Sequence, residues 1–345
     1  MQKFLSRIPL LLSVLGLTLP VQAAATNSEI QALLSKRIDR EKQSPGIVVG
    51  IIEPQGQRII SYGHLNMAKT DRIDGNTLFE IGSITKVFTV LALMQLSEQK
   101  VLNLDDPIAK FLPPTVKTPE FNGKVITLLT LATHTSSLPR LPNNLTPADN
   151  QNPYADYTVD QLYSFLSSYK LPRAIGSKYE YSNLGVGLLG HLLSIKTDLD
   201  YEALISKQIT QPLQMQDTRI DLFRDQTKRF ATGHDRRNRA VPYRDLPTLT
   251  GAESLRSSGN DLLKFLAANL DLQSSPSMPV CKRPIKFSSR QTVQIWRSPW
   301  AGMCLISTGQ RSFSMMVAQG AFAILLAFPK PSGSALSSWE TPRAM

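Results

Sequence analysis

Residues 77–96 limit what this chain can become more than any other stretch. They read Thr-Leu-Phe-Glu-Ile-Gly-Ser83-Ile-Thr-Lys86-Val-Phe-Thr-Val-Leu-Ala-Leu-Met-Gln-Leu. Val87, Phe88, Val90, Leu91, Met94 and Leu96 fall at helical spacing, which predicts a buried helix starting at or near Ser83. Ser83 and Lys86 are three apart and share one face of that helix. A serine hydroxyl is a weak nucleophile until a neighbouring base takes its proton. A lysine one turn away, its pKa lowered by burial, can be that base. The helix N-terminus adds backbone N–H groups and partial positive charge where an oxyanion would form. S-x-x-K also arises by chance in a chain containing many Ser and Lys, so other segments have to decide.

The frame around this helix is that of a globular protein. With 345 residues, 42% hydrophobic and 19% charged, the chain can build a large core and divide into two lobes. Residues 1–23 read as a secretory signal, with a basic start (Lys3, Arg7), an apolar stretch over 8–19 and cleavage expected after Ala23. That stretch is short for a bilayer span, and no transmembrane segment is expected in the mature chain. The net charge of +11 stays strongly basic without Lys3 and Arg7, which favours attraction to an anionic cell envelope. Lys and Arg form no block interleaved with aromatics, so nucleic acid is not expected as a partner. The four histidines, His64, His134, His191 and His234, lack metal spacing, and neither a metal nor a cofactor is expected. Cys281 and Cys304 can pair in an oxidising compartment, but two cysteines are no disulfide framework.

Along the chain, residues 27–40 show helical periodicity with Asn27 as the expected cap. Residues 46–52 and 58–62 are apolar, β-branched runs around a polar turn, which predicts a hairpin. From 83 to about 270 the pattern is mostly helical, with a Pro/Asn/Asp-rich loop over 139–157. Thr158 with Gln161, and Ser258 with Asp261, are expected helix starts. A helix and a hairpin ahead of the S-x-x-K helix call for a sheet whose other strands come from elsewhere in the chain.

A second chemical segment is Gly176-Ser-Lys-Tyr-Glu-Tyr181-Ser-Asn183-Leu-Gly, just before a helix over 184–195. Tyr181 and Asn183 are two apart, so in extended backbone they point the same way. A phenol beside an ammonium can shuttle protons, and an amide can hold a substrate carbonyl or orient the lysine. Taken alone, the pair is equally an N-cap asparagine and a core tyrosine.

The pair is not alone. Residues 78–88 (Leu-Phe-Glu-Ile-Gly-Ser-Ile-Thr-Lys-Val-Phe), 102–108 (Leu-Asn-Leu-Asp-Asp-Pro-Ile), 126–139 (Ile-Thr-Leu-Leu-Thr-Leu-Ala-Thr-His-Thr-Ser-Ser-Leu-Pro), 179–183 (Tyr-Glu-Tyr-Ser-Asn) and 255–262 (Leu-Arg-Ser-Ser-Gly-Asn-Asp-Leu) occur in family order. Together they resemble the class C β-lactamase and low-molecular-weight penicillin-binding protein family, especially its D-alanyl-D-alanine carboxypeptidase/endopeptidase branch. The resemblance covers roughly residues 27–275. It implies an α/β (α+β) fold: an antiparallel sheet flanked by helices, an all-helical lobe inserted over about 90–250, and the serine at their junction. It implies Ser83 as nucleophile, Lys86 and Tyr181 sharing the acid and base roles, and Asn183 binding the acyl amide of the substrate. The implied setting is periplasmic, with D-Ala-D-Ala peptides of peptidoglycan or β-lactams as substrates and no cofactor. A carboxylesterase on the same scaffold and a catalytically impaired penicillin- or peptidoglycan-binding protein are the rivals. The Gly-x-Ser-x-Gly elbow of Ser-His-Asp hydrolases is absent from the sequence.

The chain also departs from the family. No Lys-Thr-Gly or His-x-Gly occurs in it; Ser307-Thr-Gly309 comes nearest and lacks the cation. The C-terminal strands and terminal helix of the family are expected to be missing, leaving residues 276–345 as an aberrant tail. A shifted reading frame over residues 316–339 can encode the family's Gly-rich strand pair, so a frameshift after about residue 275 is expected. Resequencing the gene would remove that expectation if no frame contained the strand.

Overall fold

The computed structural model describes residues 26–53, 56–68, 71–235 and 239–269, with the backbone of 294–295, 305–306, 315–319 and 322–327. The signal segment 1–23, Cys281, Cys304 and Ser307–Gly309 lie outside the described residues. The architecture is α+β. Helix α1 (Asn27–Ser35) precedes the hairpin β1 (Gly46–Glu53) and β2 (Gly56–Gly63), then β3 (Leu78–Glu80) and α2 (Thr85–Glu98). A short hairpin, β4 (Glu120–Phe121) and β5 (Lys124–Val125), leads to α3 (Leu128–Ala132), α4 (Val159–Ser168), α5 (Asn183–Thr197), α6 (Tyr201–Ile205), α7 (Arg224–Thr227) and α8 (Thr250–Glu253). Strand β6 (Arg256–Ser258) and α9 (Gly259–Asn269) follow, then β7 (Gln294–Ile295), β8 (Leu305–Ile306), β9 (Met315–Gln319) and β10 (Phe322–Ala327). Between β3 and β6 the described residues carry α2 to α8, the β4–β5 hairpin and the loops that join them.

The cap of α1 is Thr26, one residue before the expected Asn27. Thr26 Oγ1 accepts from the Glu29 N–H, and the Glu29 carboxylate accepts from the Thr26 N–H at 2.7 Å. Glu29 stands at the reciprocal position for Thr26, and that box decides the start. Thr158 and Gln161 form the expected box at α4. Ser258 Oγ accepts from the Asp261 N–H at 3.2 Å where α9 begins.

Strand β1 is buried on both faces. Ile47, Val49 and Ile51 pack with Leu34, Ile38 and Ile60 beneath α1, while Val48 and Ile52 join the main core. The alternation follows from the two-residue period of a strand. The sheet order is β2-β1-β10-β9. The β1–β2 and β10–β9 pairs are antiparallel, but β1–β10 is parallel, from Gly46↔Phe322 to Ile51↔Ala327, so the sheet is mixed rather than purely antiparallel. The tail also corrects the expectation of missing strands, because its backbone supplies β9 and β10. Their sequences, Met-Met-Val-Ala-Gln and Phe-Ala-Ile-Leu-Leu-Ala, are apolar runs suited to a strand. Pairing them satisfies the backbone groups of β1 on the edge that β2 leaves open.

The serine-bearing helix is surrounded. Phe88, Ala92, Leu93 and Leu96 of α2 are buried, and the Phe88 ring stacks on Phe265 of α9 with centroids 4.6 Å apart. Helix α5 is buried over ten residues and crosses α8 at Gly190 and Gly251. A Cβ on Gly190 would lie 2.9 Å from the Gly251 Cα, so this approach exists only because both residues lack a side chain. Among the described residues no helix is long and apolar enough to cross a membrane.

Candidate active site

Strand β3 pairs with β6 through Leu78↔Ser258, Phe79↔Ser257 and Glu80↔Arg256, and this pairing delivers the chain to Ser83. Gly82 then takes φ +50°, a left-handed conformation that favours glycine. Gly82–Ile84 form a 3-10 turn that runs into α2 at Thr85. Ser83 thus sits on the turn that opens the helix rather than within it. Lys86 follows on the first helical turn, and both side chains are buried.

Three groups meet the Ser83 hydroxyl. Lys86 Nζ donates to Ser83 Oγ at 3.1 Å, and the Tyr181 hydroxyl donates at 2.8 Å. Ser83 itself donates to Glu253 Oε1 at 2.9 Å. Lys86 also donates to the Ala252 carbonyl at 2.9 Å and lies 3.9 Å from Glu253 Oε1. Burial lowers the Lys86 pKa to about 8 against the opposing pull of the Glu253 charge. Burial raises the Tyr181 phenol, which stays protonated as a donor. Lys86 Nζ is 4.9 Å from the Tyr181 ring centroid.

Asn183 is not the cap of α5. Ser182 is, its Oγ accepting from the Gly185 N–H at 2.8 Å. The Asn183 side chain is therefore free to turn inward, where Nδ2 donates to Glu253 Oε1 at 3.1 Å. Its Oδ1 is buried with no hydrogen-bond partner among the described residues. An unpaired buried acceptor is costly, and the N–H of a bound amide can satisfy it. The four residues singled out from the sequence, Ser83, Lys86, Tyr181 and Asn183, thus lie in one cluster.

Two further residues belong to it. His134 is half-buried with φ +58°, accepts from the Ser182 N–H through Nδ1 at 3.0 Å, and packs its ring 4.8 Å from that of Tyr181. Burial, together with the Lys86 charge, lowers its pKa to about 3, so it stays neutral and holds the Tyr181 segment. The metal-spacing test could not find it, although it lies within residues 126–139. Glu253 gave no signal at all: it is one carboxylate on a four-residue helix. Its Oε2 also lies 3.5 Å from Arg244 Nη1. Among the described residues no group of three His, Cys, Asp or Glu is placed to hold a metal.

Comparison with known proteins shows the family. The Beta-lactamase family model matches residues 30–292, and the chain belongs to that family. It is 32% identical over 222 residues to the D-alanyl-D-alanine-carboxypeptidase/endopeptidase AmpH of Escherichia coli strain K12, over 64% of this chain and 56% of that protein. A Beta-lactamase of Psychrobacter immobilis is 27% identical over 277 residues, covering 77% of this chain and 65% of the relative. The chain therefore spans less than two thirds of the length of these two relatives. Among solved structures, a class C beta lactamase from Rhodobacter sphaeroides superimposes with a TM-score of 0.62 at 27% identity, over 72% of this chain and 68% of that one.

Proposed function

We propose that this chain is an exported serine hydrolase acting through an acyl-Ser83 intermediate, on D-Ala-D-Ala peptides of peptidoglycan or on β-lactams. The observation that carries the reading is the convergence of Lys86 Nζ and the Tyr181 hydroxyl on Ser83 Oγ, at 3.1 and 2.8 Å. Attack by Oγ on the substrate carbonyl forms the acyl-enzyme, and water then releases the acyl group. Lys86 and Tyr181 handle the proton that reaches the leaving nitrogen. Asn183 Oδ1 accepts from the acyl amide of the substrate. No cofactor is needed. The names of the relatives support both substrate classes. The leader-like sequence of residues 1–23 supports export to the periplasm, and the net charge of +11 supports residence on an anionic envelope.

A fluorescent penicillin tests this directly. A covalent adduct, or turnover of a chromogenic cephalosporin, that disappears in Ser83→Ala is expected, and a wild type showing neither would overturn the reading. Turnover of a chromogenic cephalosporin, set against release of D-Ala from a peptide, then separates β-lactamase from peptidase. One observation favours a second reading, a penicillin- or peptidoglycan-binding protein weak in turnover. Strand β9 runs beside the Gly82–Ile84 turn, and its residues Met315–Gln319 include no Lys or His to grip a substrate carboxylate. Stoichiometric labelling without release of product would support that reading, as would an aberrant, frameshifted tail. A carboxylesterase would leave no penicillin adduct while cleaving simple esters.

A further inference from the structure

Of the three groups around the Ser83 hydroxyl, two donate. The ammonium of Lys86 and the phenol of Tyr181 both send a hydrogen toward Oγ, so the serine's own hydrogen has one acceptor, Glu253 Oε1 at 2.9 Å. Glu253 is 7% exposed and lies among donors and cations. Asn183 Nδ2 donates to Oε1 at 3.1 Å, Lys86 Nζ lies 3.9 Å from the same oxygen, and Arg244 Nη1 lies 3.5 Å from Oε2. Tyr154 and Tyr181 also feel its charge, which acts to raise both phenols. Helix α8 is tied to α2 by Thr89 Oγ1, which donates to the Gly251 carbonyl at 2.7 Å.

We propose that Glu253 is a catalytic residue that takes the Ser83 proton as Oγ attacks. The inference rests on the acyl-Ser83 reading above. In the step, the Ser83 O–H bond breaks and its proton goes to Glu253 Oε1. The Oγ–carbon bond forms, and the carbonyl electron pair moves onto the oxygen. When the carbon–nitrogen bond breaks, Tyr181 gives its proton to the leaving nitrogen and is reprotonated by Lys86. Glu253 then returns its proton to the neutral Lys86, and all three groups regain their starting charge. A base in this position contributes about a hundred- to ten-thousandfold.

The test is the second-order rate of labelling by fluorescent penicillin as a function of pH, on the full chain. With Glu253 as base, the wild-type rate does not climb as Lys86 loses its proton. With Lys86 as base, the rate climbs about tenfold per pH unit up to its pKa of about 8. Glu253→Gln keeps the shape and an acceptor oxygen but removes the base, and a fall of about a hundredfold or more at pH 7 is expected. A wild-type rate that rises tenfold per unit, or an E253Q rate equal to wild type at the same melting temperature, would overturn the assignment while leaving Ser83 as nucleophile. Should E253Q fold poorly, the wild-type profile decides alone. A wild type showing neither an adduct nor turnover of a chromogenic cephalosporin would remove both the acyl-Ser83 reading and this inference.

Discussion

Among the described residues there are two apolar clusters, and strand β1 belongs to both. On one face Val48 and Ile52 enter the large core that envelops α2, α5 and α9, the helices around the Ser83 cluster. On the other, Ile47, Val49 and Ile51 meet Leu34 and Ile38 of the α1 region in a cluster of six buried side chains. Only the first touches the chemistry. Ser83, Lys86, Asn183 and Glu253 are buried at the margin of the large core, where low dielectric lowers the Lys86 pKa and strengthens each hydrogen bond. The smaller cluster closes the outside of the sheet. The difference teaches that rigidity at the reactive serine comes from helix packing, and that the sheet contributes mainly a support.

Substitutions on the two sides should therefore separate stability from activity. Phe88→Ala removes a fully buried ring stacked on Phe265, and a loss of about 3–5 kcal/mol is expected in denaturant titration. Because α2 carries Lys86 and continues the Ser83 turn, penicillin labelling should fall with it; labelling at the wild-type rate in the surviving fold would break the link between core and site. Gly190→Ala is the next largest. The added methyl meets the Gly251 backbone, and overpacking of about 2–3 kcal/mol is expected. It should also push α8 outward, so acylation slows more than the melting shift explains. Leu34→Ala, in the small cluster, should cost about 2 kcal/mol and leave the labelling rate of folded protein unchanged. A matching drop in rate would show that the two clusters act as one unit. Thr26→Ala deletes the capping box of α1 at about 1 kcal/mol, readable as a small shift in denaturation midpoint with no kinetic effect.

Lys86 gives the comparison a pH axis. Its folded pKa of about 8 lies below the ordinary lysine value of 10.5, so burying the ammonium opposes folding. That opposition is complete below pH 8 and fades as the pH rises from about 8 to 10.5, where the folded state binds fewer protons than the unfolded one. Relative to Lys86→Met, the wild type should gain stability across that interval. A difference that stays constant with pH would mean the lysine is solvated rather than buried.

The sequence by itself determined what is local. The apolar spacing around Ser83 and Lys86 placed both groups on one helix face, and the apolar, β-branched run of residues 46–52 made a strand. Thr158 with Gln161 capped α4, because caps and periodicity act over three or four residues. The shared direction of Tyr181 and Asn183 was also legible, and the family resemblance, not local spacing, implied that they face Ser83. Only the tertiary structure decided that Tyr181 crosses 98 positions to reach Ser83 and that Glu253 crosses 170. It also decided that β10 pairs parallel to β1 and that Ser182, not Asn183, caps α5. A single carboxylate or a parallel partner leaves no periodic mark on the sequence. Their places follow from which helices approach closely, and at Gly190 and Gly251 that approach depends on two missing side chains meeting.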